Sequence, residues 1–510
     1  MNRGEIFDLA VIGGGINGVG IARDAAGRGL SVLLCERDDL ASGTSSVSSK
    51  LIHGGLRYLE YFELRLVREA LGEREVLMRI APHLIRPMRF VLPHDRVLRP
   101  AWMIRAGLFL YDHLSHRRQL QGSQGLNLRQ HPAGASLRNH FRKGFAYSDC
   151  WVDDSRLVVL NAVDAARRGA TILLQSPCVG ARREDGLWTV SLRESEGVQR
   201  DVRAKMLVNA TGPWLSQVNT GVLRQKDSGH LTLVKGSHIV VPRLYEGDHA
   251  YILQNEDKRV IFVLPFLEHF SLIGTTDVPF RGDPAQVAVD PEEVEYLCHG
   301  VNRYFRKAVR PEDVVWQFSG VRPLFNDASD DPSAVTREYV LEWEDERGKA
   351  PLLSVIGGKI TAYRQVAEHA LERMGEFFPN LPAPWTGGMP LPGGDIPRGR
   401  FDLFFENLSG EYPWLPEAML LRLARAYGTM TRDILAHASS EEDLGRHFGG
   451  GLYEREVEHL LEHEFARSGK DILWRRSKLG LFLTPSEHND LSSWVTSRLD
   501  RAGRMSGLGE

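Results

Sequence analysis

The run Gly13-Gly14-Gly15-Ile16-Asn17-Gly18 spells GxGxxG, directly after an apolar stretch and directly before a helical pattern. Gly13 permits a tight turn, Gly15 lets the backbone approach a pyrophosphate, and Gly18 allows a helix to pack closely on a strand. The start of the following helix, with Gly14 and Asn17 on its loop, presents N–H groups and a positive dipole end to phosphate. A second apolar run ends at Glu36. A carboxylate there can accept hydrogen bonds from ribose hydroxyls and repels a 2′-phosphate. Strand, loop, helix, strand and acid in this order indicate a dinucleotide site rather than an ordinary glycine turn.

This fingerprint suits FAD and NAD alike, and two further glycine junctions separate them. VNATGPW carries Ala210, Gly212 and Trp214 after a strand, a turn that can close over the far side of an extended cofactor. SVIGGKIT places Gly357 and Gly358 before a helix expected to begin near Lys359. A helix start there could stabilise negative charge on the N1–C2=O region of a reduced flavin. The loop after Glu36, ASGTSSVSSKLIHGGLRYL, crowds small and hydroxyl residues before His53-Gly54-Gly55. Thr44, Ser45 and Ser49, with His53 and Gly54, could bond phosphate or flavin edges. Three nucleotide-facing junctions fit a long cofactor spanning a domain, so the expected group is FAD.

These junctions need a parallel sheet behind them. Short apolar runs at 9–12, 32–34, 206–208 and 352–356 alternate with helical patterns such as 18–28, the signature of a doubly wound α/β domain. Because the runs lie far apart, that Rossmann-like FAD-binding domain is discontinuous, over 1–65, 145–215 and 350–380. Residues 232–342 carry closely spaced strands such as HIVVPR and RVIFVLPF, which suggests an antiparallel sheet. The substrate domain is accordingly placed at 66–144 and 216–349, with membrane-facing helices. A Pro/Gly-rich linker at 381–398 leads to a helical C-terminal domain at 399–510, whose clearest helical patterns are 417–427 and 454–465.

The 510 residues carry a net charge of −3 with no sustained basic block, which argues against nucleic-acid binding. Four scattered cysteines without a CxxC pair indicate neither a zinc site nor a disulfide framework and fit a reducing cytoplasm. His459 and His463 have metal-ligand spacing, but Leu460 stands where HExxH needs glutamate, so both read as surface residues and no metal is expected. The N-terminal apolar stretch runs straight into the glycine loop and reads as a buried strand rather than a signal peptide. No run has the length of a membrane-spanning helix, so any membrane contact is peripheral. One segment suits such contact: 100–114, PAWMIRAGLFLYDHL, groups Trp102, Met103, Ala106, Phe109, Leu110 and Leu114 near one face, with Arg99, Arg105, Arg117 and Arg118 around it. A core helix with basic ends has the same pattern.

Taken together, IGGGINGVGIARDAAGRGL, TSSVSSKLIHGGLRYLE, YSDCWVDDSRLV, NATGPW, KGSHIVVPR, IGTTD, SGVRPL and GGKITAYR resemble the bacterial aerobic glycerol-3-phosphate dehydrogenase family, within the flavoenzymes similar to D-amino-acid oxidase. Ala362 departs from the threonine many relatives carry there. The resemblance implies non-covalent FAD, oxidation of sn-glycerol 3-phosphate to dihydroxyacetone phosphate, and ubiquinone as acceptor. It also implies a homodimer attached peripherally to the cytoplasmic face of the inner membrane. Such a reaction needs a hydride acceptor, a base for the C2 hydroxyl proton and a cationic grip on phosphate. The matching motifs supply His238 as proton acceptor and Arg322 to polarise the C2 oxygen. Arg57, Arg337 and Lys359 would anchor phosphate, with Tyr58 and Thr361 in the same pocket. Two alternatives share the motifs: an oxidase delivering electrons to oxygen, and a non-catalytic flavin-binding membrane scaffold, which the retained His238, Arg322 and Lys359 disfavour.

Overall fold

The computed structural model describes residues 5–95, 100–115, 119–194, 197–225, 229–257, 259–325, 338–346 and 348–506. Two sheets carry the site. The first runs in the order Tyr339–Glu344, Leu352–Gly357, Gln199–Asn209, Ile6–Ile12, Val32–Cys35, Thr171–Leu173. Its four central pairings that join strands between Leu352–Gly357 and Thr171–Leu173 are parallel. Val32–Cys35 and Leu352–Gly357 are buried at every position, because layers cover both faces. Helices Ile16–Gly27, Asp154–Arg167 and Tyr363–Met374 pack together on one face. The hairpin Cys178–Glu184 and Leu187–Arg193 contributes Trp188 and Val190 to the apolar cluster on the other. The carboxyl ends of Ile6–Ile12, Gln199–Asn209 and Leu352–Gly357 therefore lead into the three glycine junctions on one edge, where ligands of open α/β sheets bind.

The second sheet follows the order Val278–Pro279, Leu231–Pro242, Phe270–Gly274, Val260–Phe266, Ala250–Gln254, Ile85–Pro93, Lys143–Val152, Leu51–Ile52, with Trp316–Phe325 also paired to Leu231–Pro242. Its strand Leu231–Pro242 is buried on both faces: Ile239 and Val241 pack into one apolar cluster, Val240 into another. The register sets His238 opposite Gly274 on one side and Phe318 on the other, and Val234 opposite Arg322.

Three strands depart from the expected domain boundaries. Leu51–Ile52 and Lys143–Val152 belong to the second sheet, although 1–65 and 145–215 were read as FAD-binding. Tyr339–Glu344 is the edge of the first sheet rather than the end of the antiparallel region. Lys143–Val152 is buried at almost every position and Tyr339–Glu344 is half-covered throughout, so neither has the alternation that would show its partners. The helix expected near Lys359 also starts later, at Tyr363, after a short 3₁₀ turn Ile360–Ala362.

The linker is a packed strap. Trp385 lies under Arg23 (4.8 Å) and Arg168 (3.9 Å), and Leu391 N–H donates to Ile80 O (2.9 Å). The C-terminal helices Phe401–Glu411, Glu417–Tyr427, Glu454–His463 and Pro485–Ser506 share their apolar cluster with the helices of the first sheet. His459 corrects the surface reading: its side chain is only 10% exposed and lies 3.7 Å from Glu464. His463 is exposed as expected. Among the described residues, no group of three or more His, Cys, Asp or Glu is placed to hold a metal ion.

Candidate active site

A cavity of about 420 Å³ gathers the dinucleotide residues: Gly13, Gly15, Asn17, Glu36, Thr44 and Ser45, then Ala210, Gly212 and Trp214, then Gly357 and Gly358. Gly18 lies behind it, where a β-carbon would stand 2.0 Å from Gly13 O, so only glycine lets helix and strand meet here. Glu36 accepts from Gly14 N–H (2.6 Å) and Asp38 N–H (2.9 Å), and burial pushes its pKa up. The carboxylate thus shapes the phosphate loop as well as lining the cavity. Ser45 Oγ accepts from Ile16 N–H (3.0 Å), so one amide expected to face phosphate is engaged by the protein. Thr44 donates to Val321 O (2.6 Å) and ties the loop to the second sheet. Asn17 donates to Gly357 O (3.1 Å), which joins the first and third junctions, while its buried Oδ1 has no partner among the described residues. Buried Trp214 Nε1 likewise has none among them. A cavity on three glycine junctions, with these two polar atoms left unpartnered, fits an extended dinucleotide cofactor.

A second cavity, of about 230 Å³, is lined by His53, Arg57, Tyr58, Asp149, Thr275 and Asp277 together with apolar Leu51, Phe90, Ile252 and Phe262. Lys359 Nζ sits 3.8 Å from the centre of the Tyr58 ring, bringing these two predicted residues together. Thr361 is buried, and its hydroxyl accepts from His53 N–H (3.3 Å), so it fastens the HGG turn to the third junction. Arg337 lies outside the described residues, as do Arg99, Arg117 and Arg118.

His238 is 2% exposed and stacks on Phe318 (4.9 Å, 16°). Its Nε2 is 2.9 Å from Ser49 Oγ, so Ser49, read as cofactor-facing, is a partner of the histidine. Burial, Arg322 and Lys50 push its pKa well below the ordinary histidine value, which leaves the imidazole neutral. Arg322 pairs with Asp277 and also donates to Thr275 Oγ1 and Thr276 O (both 3.1 Å), fixing the guanidinium at the cavity margin.

Four supports escaped the sequence reading. A β-carbon on Gly236 would meet Arg322 at 2.0 Å, and one on Gly274 would meet His238 at 2.1 Å. The glycine of IGTTD thus makes room for the His238 ring and that of KGSH for the Arg322 guanidinium, a role that only pairing reveals. Asp149, Arg74 and Tyr111 form a buried network. Tyr111 OH lies 2.8 Å from Asp149, Arg74 is 2.6 Å from it, and Gly54 N–H donates to Tyr111 OH (2.9 Å). Lys50, fully buried, pairs with Asp154 (2.8 Å) beneath the serine-rich loop.

Helix Ala101–His113 packs Ile104, Leu108 and Tyr111 inward and turns Trp102 (71% exposed), Met103, Phe109 (61%) and Leu110 outward. Tyr61, at the end of the turn Leu56–Tyr61 that touches this helix, and the following Phe62 (83% exposed) and Leu64 are further exposed apolar residues. No helix among the described residues is long and apolar enough to cross a membrane.

The family model for FAD dependent oxidoreductases matches residues 8–364, and that for the C-terminal domain of alpha-glycerophosphate oxidase matches 385–495. A glycerol-3-phosphate dehydrogenase of Pseudomonas aeruginosa is 54% identical over 493 residues, covering 97% of this chain and 96% of its own. A D-erythritol 1-phosphate dehydrogenase of Brucella abortus is 53% identical over 495 residues, covering 97% and 98%. The glycerol-3-phosphate dehydrogenase from Bacillus halodurans, solved in complex with FAD, superposes with a TM-score of 0.77 at 26% identity, over 98% of this chain and 91% of that one.

Proposed function

The chain belongs to the family of FAD-dependent oxidoreductases, and on that premise we propose that it oxidises sn-glycerol 3-phosphate to dihydroxyacetone phosphate and passes the electrons to ubiquinone. The observation that carries this reading is that Arg322, which together with burial and Lys50 keeps buried His238 neutral, is bonded to Thr275 and Asp277 in the wall of a pocket that also holds Arg57 and Tyr58, the latter under Lys359. When bound, FAD supplies the hydride acceptor. Gly13, Gly15, Asn17, Ser45, Gly212 and Gly358 would hold it. Arg57 and Lys359, with Arg337, grip the phosphate, because a dianion entering a partly dry pocket must be paired. Arg322 draws electron density from the C2 oxygen, and neutral His238 takes its proton. The buried apolar wall keeps bulk water from competing for the charges.

The acceptor assignment rests on the exposed face of Ala101–His113. Quinones reside in the bilayer, and as no helix among the described residues is long and apolar enough to cross it, the enzyme reaches them by touching the surface. Trp102, Met103, Phe109 and Leu110 suit the headgroup boundary, with Arg105 beside them. In this reading the enzyme is a non-covalent flavoprotein and a homodimer on the cytoplasmic face of the inner membrane. Acid precipitation should release its flavin. Anaerobic addition of glycerol 3-phosphate should bleach the flavin, and short-chain ubiquinone should re-oxidise it faster than air. Peroxide at the full rate of turnover would identify an oxidase instead, and an unbleached flavin would leave a binding protein. The 53% identity to the erythritol-phosphate enzyme supports a second reading in which a longer polyol phosphate is the better substrate. The ratio of kcat/KM for the two phosphates decides between them.

A further inference from the structure

The loop that carries Ser49 is braced from behind by the C-terminal domain. Lys478 of that domain pairs with Asp153, donates to Ser155 Oγ (2.7 Å) and lies 3.9 Å from Asp154. Asp154 in turn holds Lys50 (2.8 Å) and accepts from Ser48 Oγ (2.8 Å). Lys50 also donates to Ser46 O (3.0 Å) and lies 5.4 Å from the centre of the Phe318 ring, on which His238 stacks. A second path runs beside the first. Phe318 touches Trp316 (4.8 Å), and Trp316 touches Trp474 of the C-terminal domain (4.9 Å). Both paths leave the segment 471–478 and converge on one imidazole.

Adhesion between domains does not account for the charges. Burying two lysines and two aspartates is costly, and apolar residues of similar size join surfaces at least as well. Charges at this place do have an effect on a histidine whose proton affinity the chemistry uses. Among the described residues, the charged groups that act on His238 are Arg322, itself paired with Asp277, and Lys50, itself governed by Asp154 and Lys478. We propose that Lys478 is a positioning residue for the proton acceptor: through the Lys478–Asp153–Asp154–Lys50 cluster, the C-terminal domain sets both the placement of Ser49 and the electrostatic field at His238. This rests on His238 being the base.

The cluster is neutral when all four groups are charged, so removing either sign unbalances it in a known direction. Lys478→Met leaves excess negative charge, which favours protonated His238. Asp153→Asn leaves excess positive charge, which disfavours it, and asparagine still caps the helix Asp154–Arg167. In the flavin-loaded full chain, the acid limb of kcat/KM should move up by roughly half to one pH unit in Lys478→Met and down by a similar amount in Asp153→Asn. Lys478→Arg should restore the wild-type limb. Histidine ring carbons labelled with ¹³C should show the same opposed shifts for His238 by NMR, independently of turnover. Lys478→Met should lower kcat about tenfold with KM within twofold, because Ser49 is displaced while the phosphate grip is untouched. Shifts in the same direction, or none, in variants with wild-type flavin content and Tm would overturn the proposal. Asp153→Asn alone decides the matter if Lys478→Met fails to fold. An acid limb that persists in His238→Ala would refute the base assignment instead, and the NMR shifts would still report on the coupling.

Discussion

The two cavities are built by opposite strategies. The dinucleotide cavity takes its essential features from contiguous runs: six consecutive residues make the phosphate loop, and each later junction is a strand end followed by glycine. The surroundings of His238 have no such continuity. His238 and its partner Ser49 are 189 residues apart, and Gly274 and Phe318 reach the histidine from two other strands. The difference follows from what each site grips. Phosphate is held by backbone N–H groups and a helix dipole, which one short turn can aim. A proton acceptor is a buried side chain whose affinity depends on every neighbour, and those neighbours must be delivered by pairing between strands.

Separate damage to the two cavities should make this division visible. The largest effect is expected from Gly18→Val, whose β-carbon would sit on Gly13 O. The purified protein should contain no flavin, and normal flavin absorbance in that variant would break the comparison. Next comes His238→Ala, which should keep its flavin and lose roughly 10²–10⁴-fold in kcat. Gly274→Ala should behave in the same way through its clash with the ring. Because His238 is held neutral, wild-type kcat/KM should stay level as pH falls through 6.5 and decline only well below it. A decline centred on 6.5 would mean that burial, Arg322 and Lys50 do not act on the histidine as its surroundings indicate. Arg57→Ala sharpens the contrast further. Losing a charged hydrogen bond worth about 1.5–3 kcal/mol should raise KM for glycerol 3-phosphate roughly 10- to 150-fold at nearly constant kcat. A large fall in kcat would move Arg57 from anchoring to chemistry. The smallest effect on chemistry belongs to the paired replacement Phe109→Ser and Leu110→Ser. Sedimentation with anionic vesicles should weaken several-fold, more so at high salt, while flavin reduction by substrate proceeds at the wild-type rate. Unchanged sedimentation would shift the membrane contact to another surface.

How well each part could be read from sequence follows the same division. The runs at 9–12, 32–34, 206–208 and 352–356 all lie in strands of one parallel sheet, because fully buried strands have no polar side and stand out as short apolar blocks. That signal says nothing about partners, so the domain ranges read from the sequence do not show the sheets to which Leu51–Ile52, Lys143–Val152 and Tyr339–Glu344 pair. Ser45 and Ser49 stand out in the sequence as small hydroxyl residues, but not as what they are, the acceptor of Ile16 N–H and the partner of His238. Lys50, Asp149 and Lys478 gave no signal, since a single lysine or aspartate in a sequence looks like surface until its counter-charge is known.

By itself, then, the amino-acid order determined the phosphate loop, the strand–glycine junctions and the residue types available to bind and to exchange protons. These depend on local backbone conformation, which near neighbours dictate. The tertiary structure alone decided that His238 meets Ser49 and Phe318, that Gly274 lies against the His238 ring and Gly236 against the Arg322 guanidinium, and that a lysine of the last domain reaches the ions behind the loop that carries Ser49. Each of these requires residues far apart in the chain to come within a few ångströms, and burial then makes their charges matter, because only in a dry interior does one cation change the proton affinity of another group.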